Sequence, residues 1–147
     1  MFLHLITVLF MLNIEPVTTD LPEKSGSILI NISNIRSTTG KINVSLFATA
    51  NGFPSNPQKA VAIQSLIIDG NQVTLRFDNL PFGTYSVACH HDESGNGKMD
   101  TNLLGIPKEG YGTSNNAVNR FSKPQFEAAK FPFKEAVHSI NIKMFYW

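Results

Sequence analysis

At 147 residues, with a formal net charge of +1 and 16% charged residues, the chain has room for one apolar core and carries no electrostatic footprint for nucleic acid. A single cysteine, Cys89, excludes an internal disulfide. The 11 phenylalanines are scattered along the chain, which suits core packing better than a base-stacking platform.

In chain order, the apolar run from Met1 to Ile14 is too short to span a bilayer comfortably and has the character of a signal-peptide apolar region. Val17-Thr18-Thr19 then precedes Asp20, so residues 1–19 are expected to be a signal peptide and 20–26 a polar linker with Pro22 and Gly26. The single domain is expected over 27–147. It is therefore expected to be exported, to the periplasm or beyond the cell, with no stable membrane span once the signal is removed.

Within the domain, Ile28, Ile30 and Ile32 alternate with Leu29, Asn31 and Ser33, and Ile42, Val44 and Leu46 alternate with Asn43, Ser45 and Phe47. A period of two means strand. The pattern predicts strands near 27–35, 41–49, 61–68, 72–77, 84–90 and 137–146. The first and second, joined by a turn ending at Gly40, are expected to form a hairpin. Asp69-Gly70-Asn71 is expected to close another hairpin between the third and fourth. Pro54 and Pro57 mark a surface excursion, because neither offers a ladder donor. Pro124 to Phe131 fits one or two helical turns, with Phe126 and Ala129 facing inward. These elements predict an all-β, antiparallel β-sandwich with a long ordered loop after the fifth strand, anchored by Leu103, Leu104, Ile106, Tyr111 and Phe121.

That loop opens with His90-His91-Asp92-Glu93-Ser94-Gly95-Asn96-Gly97-Lys98-Met99-Asp100. Asp92, Ser94 and Asn96 occupy alternate places, Gly97 stands sixth from Asp92 and Asp100 ninth, which reproduces much of a calcium loop. Alternate side chains would bring hard oxygens to one centre, with the Lys98 carbonyl at the seventh place. The twelfth place is Leu103, where a helix-loop-helix calcium site needs a bidentate glutamate. Asp92, Ser94, Asn96, Lys98 and Asp100 are thus the candidate calcium ligands. Asp69, Asp78 and Glu109 would contribute only if the fold brings them near. The competing reading is a rigid loop without an ion, in which the same side chains bond their own backbone.

His90 and His91 beside Asp92 invite a metal or general-base reading, but neighbours on a strand point to opposite faces. Cys89 on an apolar strand reads as a small buried hydrophobe. Lys108 and Glu109 read as a solvated charge pair. No Ser, His and Asp set is arranged by spacing.

The chain resembles the bacterial domain of unknown function 2141 family. The matching stretches are Val44-Ser45-Leu46-Phe47 with Gly52-Phe53-Pro54, Leu80-Pro81-Phe82-Gly83-Thr84-Tyr85-Ser86-Val87-Ala88, and above all His91 to Asn102. Leu104 to Gly112, Ser114-Asn115-Asn116 and Phe126 to Phe131 complete the resemblance. Ser94 and Thr113 stand where relatives tend to carry Asn and an aromatic residue. The resemblance implies a transthyretin-like or collagen-adhesin B-type sandwich and an exported location, and it assigns no activity.

Three functions are compatible with these residues. The first is a non-enzymatic binding or structural module of the cell envelope, contacting an envelope protein or glycan through its loops. The second is a calcium-stabilised module using the loop from Asp92 to Asp100. The third is a hydrolase of the transthyretin-like kind, which would need convergent histidines and basic residues in a cleft.

Overall fold

The computed structural model describes residues 24–147. The expected signal peptide and most of the linker lie outside them. Among these residues eight strands follow in order: β1 (Ser25–Ser33), β2 (Lys41–Phe47), β3 (Ala62–Ile67), β4 (Val73–Pro81), β5 (Gly83–Asp92), β6 (Gly110–Thr113), β7 (Phe131–Phe133) and β8 (Val137–Lys143). One sheet has the order β4-β1-β8, and the other β3-β2-β5-β6 with β7 also paired to β5. The two sheets form an all-β sandwich. Ser25 and Gly26 pair with Pro81 and Leu80, so the first strand begins inside the expected linker.

The apolar alternation does what it predicts. Ile28, Ile30 and Ile32 of β1 and Ile42, Val44 and Leu46 of β2 are all fully buried in one core, with Val87 and Cys89 of β5 and Ile142 of β8. Both expected hairpins, however, are overturned. β1 pairs with β4 and β8, whereas β2 pairs with β3 and β5. A hairpin would set the apolar faces of β1 and β2 side by side. Placing the strands in opposing sheets lets each face bury the other, which removes more apolar area from water. For the same reason the Asp69-Gly70-Asn71 turn carries the chain across the sandwich from β3 to β4, with Ile68 buried at the crossing. β1 and β8 run parallel, from Ser27 opposite Val137 to Ser33 opposite Lys143, so the sandwich is antiparallel in every ladder but this one.

Two short strands escaped the sequence reading. β6 pairs with Ala88 to His91 and β7 with Gly83 to Tyr85, so together they form one interrupted strand along β5. At the interruption the Val87 N–H donates to Ser114 Oγ at 2.9 Å, and that hydroxyl donates to the Ala129 carbonyl at 2.6 Å. Residues 114–130 leave the sheet as an arm that includes α1 (Phe126–Ala129). The arm folds over the outer face of the second sheet, where Phe53 packs edge-to-face on both Phe47 and Phe126, with centroids at 5.4 and 5.9 Å. Phe47 is fully buried yet points away from the main core.

Phe47→Ala is therefore expected to cost about 3–5 kcal/mol, the range for truncating a buried aromatic. Urea denaturation measures the loss. Cleavage of the arm around residues 118–125 by a nonspecific protease should accelerate with it.

Candidate functional site

β5 alternates through its length. Tyr85, Val87, Cys89 and His91 enter the core side, while Ser86, Ala88, His90 and Asp92 lie on the outer face. The two adjacent histidines accordingly have separate surroundings. His91 is fully buried, and its Nε2–H donates to the Thr39 carbonyl at 2.8 Å. Its Nδ1 then accepts from the Tyr146 hydroxyl, also at 2.8 Å. Both ring nitrogens serve the packing. Burial pushes the Cys89 thiol far above its ordinary range, which removes it as a nucleophile.

Asp92 ends β5 fully buried. Its Oδ1 accepts the N–H groups of Gly95 at 2.9 Å and Asn96 at 3.1 Å, with Ser94 Oγ at 3.5 Å. Its Oδ2 accepts the Gly97 N–H at 2.9 Å and Asn43 Nδ2 at 3.4 Å. Gly97 is held at φ 75°, the left-handed region that glycine enters without cost. Glu109, at the far end of the loop, is only 4% exposed. Its Oε1 accepts from the Ser94 N–H at 3.0 Å, and its Oε2 from the Asp100 N–H at 3.1 Å and His90 Nε2 at 2.8 Å. The expectation of a solvated Lys108–Glu109 pair is thus corrected. A chain that must turn sharply here leaves amide donors with no ladder partner, and the two carboxylates supply the acceptors.

The candidate ligands from Asp92 to Asp100 do come together. Asn96 Nδ2 donates to Asp100 Oδ1 at 2.9 Å, Asn96 Oδ1 accepts the Lys98 N–H at 2.8 Å, and the Ser94 hydroxyl donates to Asp92. Of the more distant acids, Glu109 joins the group. Asp78 instead binds Ser27 and Arg76 in the other sheet, and Asp69 lies between β3 and β4. His90, Asp92 and Glu109 place one ligand-type atom each within 4.8 Å of one another. A carboxylate offers about four lone-pair sites, and those of Asp92 are taken from within the protein.

Arg36, which carried no signal in the sequence, braces the loop from outside. Its Nε donates to Glu93 Oε1 at 3.0 Å, its Nη2 also pairs with Glu93, and Nη2 reaches the Lys108 carbonyl at 2.8 Å. The guanidinium lies 4.6 Å from the centroid of Tyr146, the ring that holds His91. Gly40 passes so close that a Cβ there would sit 2.0 Å from the Asp92 carbonyl oxygen. No larger residue fits.

Beyond Asp100 the loop ends in a small hairpin, with Thr101 bridged to Pro107. Leu103 and Leu104 stand fully out in solvent at its tip, and Phe121 is also exposed. Of the expected apolar anchors, Tyr111 packs edge-on against Phe145 with centroids at 5.5 Å and Ile106 is half-buried, but Leu103, Leu104 and Phe121 do not order this segment. Buried carboxylates do that work instead.

Burial alone would push Glu109 up, yet the Ser94 amide, the His90 ring and the Asp100 amide hold it below the ordinary glutamate value. Asn96 and Ser94 lower Asp100, and Arg36 with Ser37 lowers Glu93 against the cost of its burial. Because these folded values lie below the unfolded ones, the stabilisation is fully present above the ordinary values of 4.5 for Glu and 3.8 for Asp. It is lost as pH falls through the lowered folded values. In an NMR titration from neutral pH downward, the Ser94 and Asp100 amides should shift before those of β2 and β5. Simultaneous loss of all signals would contradict this.

Neither curated proteins nor solved structures gave a match to the chain. Residues 30–141, spanning β1 to β8, match a family described as an uncharacterized protein conserved in bacteria, and the chain belongs to that family, DUF2141.

Proposed function

We propose that the protein is an exported, non-enzymatic binding module of the bacterial cell envelope, and that the hairpin tip at residues 101–107 is its contact surface for an envelope protein. The observation that carries this reading is the exposure of Leu103 and Leu104 on a backbone that is already fixed. Asn102 fixes it: its N–H donates to the Ile106 carbonyl at 2.9 Å, and its Oδ1 accepts the N–H groups of Leu104 and Ile106 at 2.8 and 3.0 Å. Two leucines held out on a rigid turn lose little freedom on binding, which favours association. They offer apolar area and no hydrogen bonds, which suits a protein pocket better than a glycan. Among the described residues no helix is long and apolar enough to cross a membrane.

A photo-crosslinker introduced at Leu104 in the native host should give an adduct with an envelope protein, and one at the exposed Thr74 of β4 should not. Leu103→Ser combined with crosslinking should abolish the adduct while changing stability by no more than about 0.5 kcal/mol, as for other surface positions. Recovery of the protein with the cytoplasm, or equal adducts at Thr74, would sink the proposal.

Calcium is the second reading, favoured by the closeness of Ser94 and Asn96 to Asp92 and of Asp100 to Asn96. With the Asp92 oxygens engaged, the ion would rest on the exposed side of the loop, on Asp100, Asn96, Ser94 and the Lys98 carbonyl. So few charged ligands imply a dissociation constant on the order of 10⁻⁴–10⁻³ M. At ten times that concentration, calcium would add about 1.4 kcal/mol to stability. Asp100→Asn is the informative variant, because Asp92→Ala would unfold the loop whether or not an ion binds. Thermal melts with chelator and then with millimolar calcium should show a rise in the wild type and none in Asp100→Asn. A wild-type melt indifferent to calcium removes this reading.

A further inference from the structure

Every sheet of an open sandwich has edges, and an edge strand with unpaired N–H and C=O groups invites another strand unless something blocks it. Three edges are blocked here. β4 carries Arg76 and Asp78 and ends at Pro81, and β8 carries His138 and Lys143. The β6 and β7 edge has Pro132, the covering arm of residues 114–130, and a bridge from Tyr111 to Phe145. β3 has none of these devices. Among the described residues it lies at the end of its sheet and pairs only with β2, and it contains no charged residue and no proline.

Its outward face is apolar as well. Val61, Ile63 and Ile67 are 55%, 52% and 89% exposed, and with Ser65 they occupy alternate positions on the side away from the core. The order Ile63-Gln64-Ser65-Leu66-Ile67 reads nearly the same in both directions about Ser65. Antiparallel pairing about a two-fold axis demands that symmetry, since each residue then meets its counterpart on the other copy.

We propose that β3 is a self-association edge, on which a second copy of this chain adds its own β3 antiparallel with Ser65 opposite Ser65. In that register Ile63 of each copy faces Ile67 of the other, so four exposed isoleucine side chains cover one another across the axis. Such aliphatic cross-strand pairs stabilise a ladder. The uncharged strand offers nothing to a charged partner strand. A single strand pair buries less area than a standard stable interface, so the dimer is weak and concentration-dependent.

Sedimentation velocity on protein expressed from the full-length sequence tests this, from low micromolar to about millimolar concentration, the range in which an interface of this size associates. The wild type should shift from monomer to dimer across that range. Ile67→Lys, at a fully exposed position, should hold it monomeric, and Val137→Lys on β8, at the end of the other sheet away from β4, should leave the shift intact. Ser65→Cys reads the register: mild oxidation should link two copies through that position, since Cys89 is buried, and adding Ile67→Lys should reduce the yield at least tenfold. A wild type that stays monomeric at the highest concentration would overturn the proposal. So would a dimer that survives Ile67→Lys, or Ser65→Cys crosslinking that is indifferent to it.

Discussion

The burial of two carboxylates, Asp92 and Glu109, is the constraint on which the loop side of the molecule depends. Between them they accept the backbone N–H groups of Ser94, Gly95, Asn96, Gly97 and Asp100. A hydrogen bond to a charged group contributes roughly 1.5–3 kcal/mol, while an amide left buried and unpaired costs about as much. The loop is consequently stable only in the shape that serves both acids. The apolar core is on the other side of β5, and Asp92 is the residue at which one kind of stabilisation hands over to the other.

His90 and Arg36 join this arrangement to the rest of the fold. His90 donates to Glu109 from the outer face of β5, and Arg36 ties Glu93 and the Lys108 carbonyl to the connection between β1 and β2. The Arg36 backbone N–H also reaches the Tyr146 hydroxyl at 3.3 Å, and Tyr146 in turn holds His91. Residues from the beginning, middle and end of the domain therefore meet beneath the loop. The position of the 101–107 tip follows from this base, since the Asp100 carbonyl accepts the Lys108 N–H at 2.8 Å where the two legs of the hairpin meet.

The sequence made the strands legible wherever one face was apolar and the other polar, as in Ile28, Ile30 and Ile32 or Ile42, Val44 and Leu46, because burial of that face fixes the period. It did not make their partners legible. Alternation says which face a strand buries and is silent about whether its neighbour in the chain lies beside it or across the core. Gly110-Tyr111-Gly112-Thr113 and Phe131-Pro132-Phe133 were missed because glycine and proline depress strand propensity, and only pairing with β5 overrides them. Within the loop, Asp92, Ser94, Asn96 and Asp100 could be grouped from their spacing. Glu109 could not, for its role comes from the return of the chain to β5. Leucines at 103 and 104 suggested anchors because apolar residues usually order a long segment, whereas here polar satisfaction does so and frees them for solvent.

The interrupted strand beside β5 has a consequence for how chain length is distributed. Thr113 and Phe131 are opposite Ala88 and Tyr85, so the sheet needs only a short bridge where the chain supplies residues 114–130. Both ends of that arm are clamped by ladder pairing, and lengthening a closed loop costs only a slowly growing entropy. The exposed middle of the arm, residues 119–123, is thus a splice point where insertions and deletions leave the sandwich unchanged, whereas Phe126 and Ala129 are held by packing. Ser114 limits that freedom, because its hydroxyl substitutes for the missing stretch of backbone.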